Sequence, residues 1–179
     1  MEFTYELKIP RERIAVLIGR DGEIKQELED ITKTKLNIDS KEGDVTLVGE
    51  DSINLYALRE VVKAIGRGFN PEIARLLLKQ DYVLEVLPLM DYVKSKNHLE
   101  RVKGRVIGAN GKSRETIEQL TDTFICIYGK TISIIGLPED IVSSKKAIES
   151  LLRGSPHSNV YRWLEKNRKN KKTQEIKNW

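Results

Sequence analysis

The stretch LIGRDGEIKQELEDITKTKLNI, Leu17 to Ile38, is repeated as VIGANGKSRETIEQLTDTFICI, Val106 to Ile127. This duplication constrains the chain more than any other feature, because whatever the first copy folds into the second must also adopt. Gly19 aligns with Gly108, Gly22 with Gly111, Leu28 with Ile117, Thr32 with Thr121 and Ile38 with Ile127. A second block, VTLVG from Val45, matches ISIIG from Ile132 at an offset two residues shorter, as a different turn length between two strands would give.

Each copy reads as the same series of elements. Phe3 to Ile9 alternates apolar and polar residues, the pattern of a half-buried strand. Pro10 breaks it and is suited to a helix start. A short helix runs to Ile18, a Gly-Arg-Asp-Gly turn follows, and the next helix is expected to bury Ile24, Leu28 and Ile31 on one face. Strands follow around Leu36–Ile38 and Val45–Val48, and Asp51–Ser52 caps a long helix through Ile65. In the second copy the strand is Tyr82–Leu87, stopped by Pro88. The helices are Leu99–Ile107 and Gly111–Thr121, the later strands Phe124–Tyr128 and Ile132–Ile135, and the last helix runs from Pro138 to Leu152. Between the copies, Gly66-Arg67-Gly68 ends a helix and Pro71 opens a short one, Glu72–Leu78. The order is β-α-α-β-β-α twice, an α+β class.

A Gly-x-x-Gly turn between two helices has a chemical use. Its glycines allow backbone conformations closed to other residues and let another chain approach without a Cβ in the way. The second glycine opens a helix, whose N–H groups and dipole attract phosphate. One such turn says little. Two, at the same place in a repeated unit and each preceded by an aliphatic-Ile pair, point to a nucleic-acid backbone running over the turn.

The Ile-Gly-x-x-Gly core over residues 1–154 resembles the type I KH family. That resemblance implies a three-stranded antiparallel sheet with three helices on one face in each copy, and a loop that clamps about four nucleotides of a single strand. The stretches KAIGRGFNPEIARLLL and LLRGSPHSNVYRWLEK are similar to a narrower group, the archaeal counterparts of the eukaryotic partner-of-Nob factors of small-subunit maturation. This second resemblance implies binding near the 3′ end of small-subunit rRNA and an adaptor role. One departure from the general KH pattern is basic: Lys25 and Arg114 stand where many KH domains have Ile.

The expected organisation is KH domain 1 over 1–76, KH domain 2 over 77–155 and a basic tail over 156–179. Residues expected to hold RNA are Arg105, Ile107, Gly108, Ala109, Asn110, Gly111, Lys112, Ser113 and Arg114 in the second copy. In the first they are Ile18, Gly19, Arg20, Asp21, Gly22 and Lys25. The two sets differ in charge. Arg101 to Arg114 holds five basic residues and no acid, whereas Asp21 lies inside the first turn, where phosphate would have to approach. The second copy is therefore expected to be the main clamp, with the first secondary or turned toward a protein.

Charge placement agrees with a polyanionic partner. Residues 155–179 carry seven Lys/Arg against two Asp/Glu, on a body near neutrality within a chain of net charge +4. Tyr161 and Trp163 in that tail either stack on bases or pack it onto the second domain, and 167–179 are expected to be mobile. Lys63, Arg67 and Arg75 read as solvated helix residues. GANGKS is not a phosphate-binding P-loop, because the position five before Gly111 is Val106. Cys126, the single cysteine, reads as a small strand residue, and Tyr128 shares its face. The two histidines, His98 and His157, have no cysteine cluster near them. No metal, cofactor, catalytic residue, signal peptide or membrane span is expected, and the expected state is a cytoplasmic, non-enzymatic monomer. The expected partners are single-stranded RNA, chiefly small-subunit rRNA, and a maturation nuclease or translation factor. The alternatives are a protein adaptor and an RNA-binding subunit of another processing complex.

Overall fold

The structure, a computed structural model, describes all residues 1–179 and divides into two units, Met1–Leu84 and Glu85–Trp179. The first contains β1 (Phe3–Lys8), α1 (Arg11–Ile18), α2 (Glu23–Thr32), β2 (Thr34–Asp39), β3 (Asp44–Gly49), α3 (Ser52–Gly66) and the short α4 (Pro71–Ala74). Its sheet has the order β1-β3-β2, antiparallel throughout, with Leu47 opposite Tyr5 on one side and Leu36 on the other. Leu36, Val45 and Leu47 from the sheet are buried with Leu17, Leu28, Leu55, Leu58 and Ile65 from the helices. The carboxylate of Asp51 starts α3 by accepting from the amides of Ile53 and Asn54 at 2.9 and 3.2 Å.

The second unit has the same series, set on β4 (Val83–Pro88), α5 (Lys96–Ile107), α6 (Lys112–Thr121), β5 (Phe124–Tyr128), β6 (Thr131–Gly136) and α7 (Pro138–Leu152). The sheet order is β4-β6-β5, with Phe124 opposite Ile135. Its core joins Val102, Val106, Ile117, Ile125, Ile132, Ile134 and Ile148. α5 begins a turn earlier than the apolar spacing predicts, because Ser95 Oγ accepts the His98 amide at 3.2 Å and caps it.

The duplication runs further than the two matched blocks. Gly68 and Gly154 end the third helix of each unit at φ of 102° and 101°. A helix follows three residues later in both: α4 in the first unit and α8 (His157–Lys177) in the second. Polar composition predicts mobility for 167–179, yet α8 continues to Lys177. Side-chain bonds hold it: Asn167 donates to Ser143 at 3.0 Å and Lys171 to Asp140 at 2.6 Å. Ile31 is a second difference. It is exposed, because Thr32 takes the buried last position of α2, its hydroxyl donating to the Leu28 carbonyl at 2.7 Å and bonding the Thr34 hydroxyl. The counterpart of Ile31, Leu120, packs on the core cluster that contains Val160 and Leu164 of α8.

Candidate nucleic-acid interface

The two turns have the same backbone. Gly19 lies at φ 75°, ψ 177° and Gly108 at φ 75°, ψ 173°, a region essentially reserved for glycine. Space enforces the same choice: a Cβ on Gly108 would fall 2.6 Å from Ser113 Cβ, and one on Gly19 2.4 Å from Ile24 Cγ1. Asp21 and Asn110 occupy the left-handed region at φ 55° and 56°, where Asp and Asn are the residues other than glycine best tolerated. Asp21 thus has a conformational reason for its place, independent of charge.

Gly22 and Gly111 then open α2 and α6 with no side-chain cap, and the first amide of each helix, Glu23 and Lys112, donates to a carbonyl within the turn, Arg20 and Ala109. Ala109, Asn110 and Lys112 are exposed around the second turn; Arg20, Asp21 and Glu23 are exposed around the first. The difference in charge between the copies is therefore exposed at the surface. Ile107 is 36% exposed beside the second turn, Ile18 is half-buried beside the first, and Ser113 is buried under Gly108.

Lys25 and Arg114 prove to be parts of one repeated device. Each lies one helical turn before a glutamate, Lys25 at 3.7 Å from Glu29 and Arg114 at 3.5 Å from Glu118. The same carboxylates accept main-chain amides of the edge strands, from Leu36 at 3.2 Å and Ile125 at 3.0 Å. Burial pushes the Glu118 carboxyl above its ordinary range, against the opposing pull of the Ile125 amide and Arg114. The signal in the sequence is the pair of glutamates at equal offset in the two copies, Glu29 and Glu118, which periodicity alone does not single out.

Arg105 differs more from expectation. Its Nε and Nη2 donate to the carbonyls of Leu151 and Ser155 at 3.1 and 2.6 Å, so it fastens the end of α7 to α5. Of the five basic residues between Arg101 and Arg114, Arg101 and Lys112 are exposed without an ion pair, and Lys103 lies 3.9 Å from Glu100. Arg13 makes the matching bonds in the first unit, to Ile65 and Phe69 at 2.8 and 2.9 Å. Arg75, expected to be solvated, pairs with Glu27 at 2.6 Å. Cys126 and Tyr128 are half-buried on β5. No group of three His, Cys, Asp or Glu side chains is placed to hold a metal, and no helix is long and apolar enough to cross a membrane.

A βααββα unit made twice, with one Gly-x-x-Gly turn per copy at the junction of its first two helices, defines a tandem of type I KH domains. The model for the second KH domain of PNO1, described as a eukaryotic-type KH domain of type I, matches residues 83–169, and the general KH-domain model matches 4–66. The chain belongs to the PNO1 family of tandem KH proteins, on its archaeal branch. It is 45% identical over 177 residues to a KH domain-containing protein of Methanocaldococcus jannaschii, spanning 97% of this chain and 78% of that one. The pre-rRNA-processing protein pno1 of Aspergillus fumigatus is 29% identical over 170 residues, 91% of this chain and 68% of that one. Among solved structures, a chain of the a/eIF2alpha–aDim2p–rRNA complex of Pyrococcus horikoshii superposes with a TM-score of 0.90 at 45% identity. The match covers 94% of this chain and 96% of that one.

Proposed function

We propose that the chain binds single-stranded RNA, in the 3′ region of small-subunit rRNA, as a non-catalytic factor in maturation of that subunit. The observation that carries this reading is the second Gly-x-x-Gly turn, with a glycine-only conformation at Gly108, a helix start free of any side-chain cap and no acid among its residues. The similarity to a pre-rRNA-processing protein and to a chain from an rRNA complex supports the choice of RNA. The second copy is the main clamp. The first is secondary or faces a protein, a reading supported by the acids at its turn and by the presence of a/eIF2alpha in the similar complex.

Crosslinking in cells followed by sequencing of the bound RNA tests the assignment; recovery of fragments away from the small-subunit 3′ region overturns it. In solution, four phosphate contacts from Arg101, Lys103, Lys112 and Arg114 to an RNA just filling the second cleft give a salt slope of about −2.8. A slope near zero argues for protein recognition instead.

Asp21→Asn is expected to raise affinity for longer RNA. The amide keeps the left-handed backbone and removes a charge whose repulsion of phosphate is worth about 1 kcal/mol, roughly fivefold. Titration at fixed salt measures the gain, and unchanged affinity assigns the first turn to a protein.

A further inference from the structure

The two faces of α8 are occupied differently. On the inner face Val160 and Leu164 are buried, and Asn167 bonds Ser143. Arg168 donates to the Gln119 carbonyl and lies 3.6 Å from Asp122, while Lys171 bonds Asp140 at 2.6 Å. These contacts account for the two inward basic residues completely. A rotation of about 100° per residue puts Arg162, Lys166, Lys169 and Thr173 on the opposite face, all of them exposed, and none of the three cations forms an ion pair. Trp163 borders this stripe and is 40% exposed, whereas Tyr161 packs on the core. Glu165 is the one acid on that side.

Such a stripe is unfavourable for a helix by itself, since like charges three or four residues apart repel. Its position gives it a use. The His157 ring nitrogen sits 2.8 Å from the Arg105 carbonyl, one turn before Gly108. Eleven residues later Arg168 reaches the far end of α6. α8 therefore runs alongside α6, starting near the turn, for about 16 Å.

We propose that the outer face of α8 is a second RNA-binding surface, in which Arg162, Lys166 and Lys169 hold phosphates and Trp163 stacks on a base. It takes the part of the strand that extends past the nucleotides clamped by the second turn. This inference rests on the RNA-binding reading above and deepens it. A base has a π-face for an exposed indole, and a strand has phosphates at regular spacing for a basic stripe. An acidic protein segment offers only charge.

The test uses the full chain and single-stranded RNAs of 5 and 16 nucleotides built of A and C, which cannot fold back on themselves. The triple variant Arg162→Gln, Lys166→Gln, Lys169→Gln keeps good helix formers at exposed positions, and circular dichroism checks its fold. It is expected to lose at least tenfold in affinity for the 16-mer, with a salt slope shallower by about 2, and nothing for the 5-mer. In a Trp179→Phe background Trp163 is the single indole, and its fluorescence is expected to be quenched by the 16-mer but not the 5-mer. Unchanged 16-mer affinity and unquenched Trp163, with the turn variant Ala109→Asp, Asn110→Asp still losing at least thirtyfold, overturn the α8 surface and leave the main reading intact. If neither variant affects RNA and both weaken capture of a poly-glutamate peptide, RNA binding and the α8 surface fall together.

Discussion

The double variant Ala109→Asp, Asn110→Asp is expected to lose at least thirtyfold in RNA affinity while staying folded. Two carboxylates at the proposed phosphate clamp repel phosphate by ~1 kcal/mol or more each in partly wet surroundings, which together corresponds to that factor. Folding should survive, because the first unit already carries an aspartate in the left-handed conformation that Asn110 occupies, at φ 55° against 56°. Ala109 is exposed, and its counterpart in the first copy, Arg20, carries a longer side chain at the same place in the turn. The matching change in the first copy, Arg20→Asp beside Asp21, is expected to cost less, since that turn already holds an acid. Affinities of both variants at one salt concentration, with circular dichroism on each, decide the matter. A larger loss from the first copy reverses the assignment of the main clamp.

The second large effect separates the two glycines of one turn. Gly108→Ala is expected to destabilise the second unit by about 3 kcal/mol or more, because strain in a glycine-only region adds about 1–3 kcal/mol to a steric conflict. The new Cβ meets Ser113 Cβ at 2.6 Å and the Ser113 amide nitrogen at 2.7 Å, and the nitrogen belongs to the backbone and cannot swing aside. Gly111 sits at φ 75°, ψ 10° with nothing within 4 Å of an added Cβ, so Gly111→Asn costs about 1 kcal/mol or less. Denaturant unfolding of the two variants measures the contrast. Equal losses would mean that backbone conformation alone, without crowding by Ser113, explains the first glycine.

Much of this was legible in the sequence for a definite reason. Duplication let each weak signal be checked against a second copy, so the element order, both turns and the class of fold followed from alignment and periodicity. Boundaries set by caps were less legible: Ser95 adds a turn to α5 that apolar spacing does not report. Contacts from side chain to main chain were not legible at all. Nothing in the spacing of Arg105 shows that it reaches the carbonyls of Leu151 and Ser155, and in a basic stretch it looks like its neighbours. Ile31 misled for a related reason, since periodicity assigns it to the core while the hydroxyls of Thr32 and Thr34 make threonine the residue that is buried. The tail misled through composition, which registers the charges on α8 but not the carboxylates waiting for two of them.

The arginine strut has a consequence for how the two halves diverged. Its acceptors are equivalent, Ile65 and Phe69 in one copy, Leu151 and Ser155 in the other, each pair four residues apart at the end of the third helix. Its donors are not equivalent. Arg13 stands six residues before the first glycine of its turn and Arg105 only three. Since the acceptors are carbonyls, the bond itself asks nothing of the side chains at those four positions, which are isoleucine and phenylalanine in one copy and leucine and serine in the other. The arginine itself could migrate by one helical turn and still close the same bond. The halves thus share a chain path and close it with the same fastening, and an alignment column, which compares residues at fixed positions, registers two unrelated arginines where the molecule has one kind of joint twice.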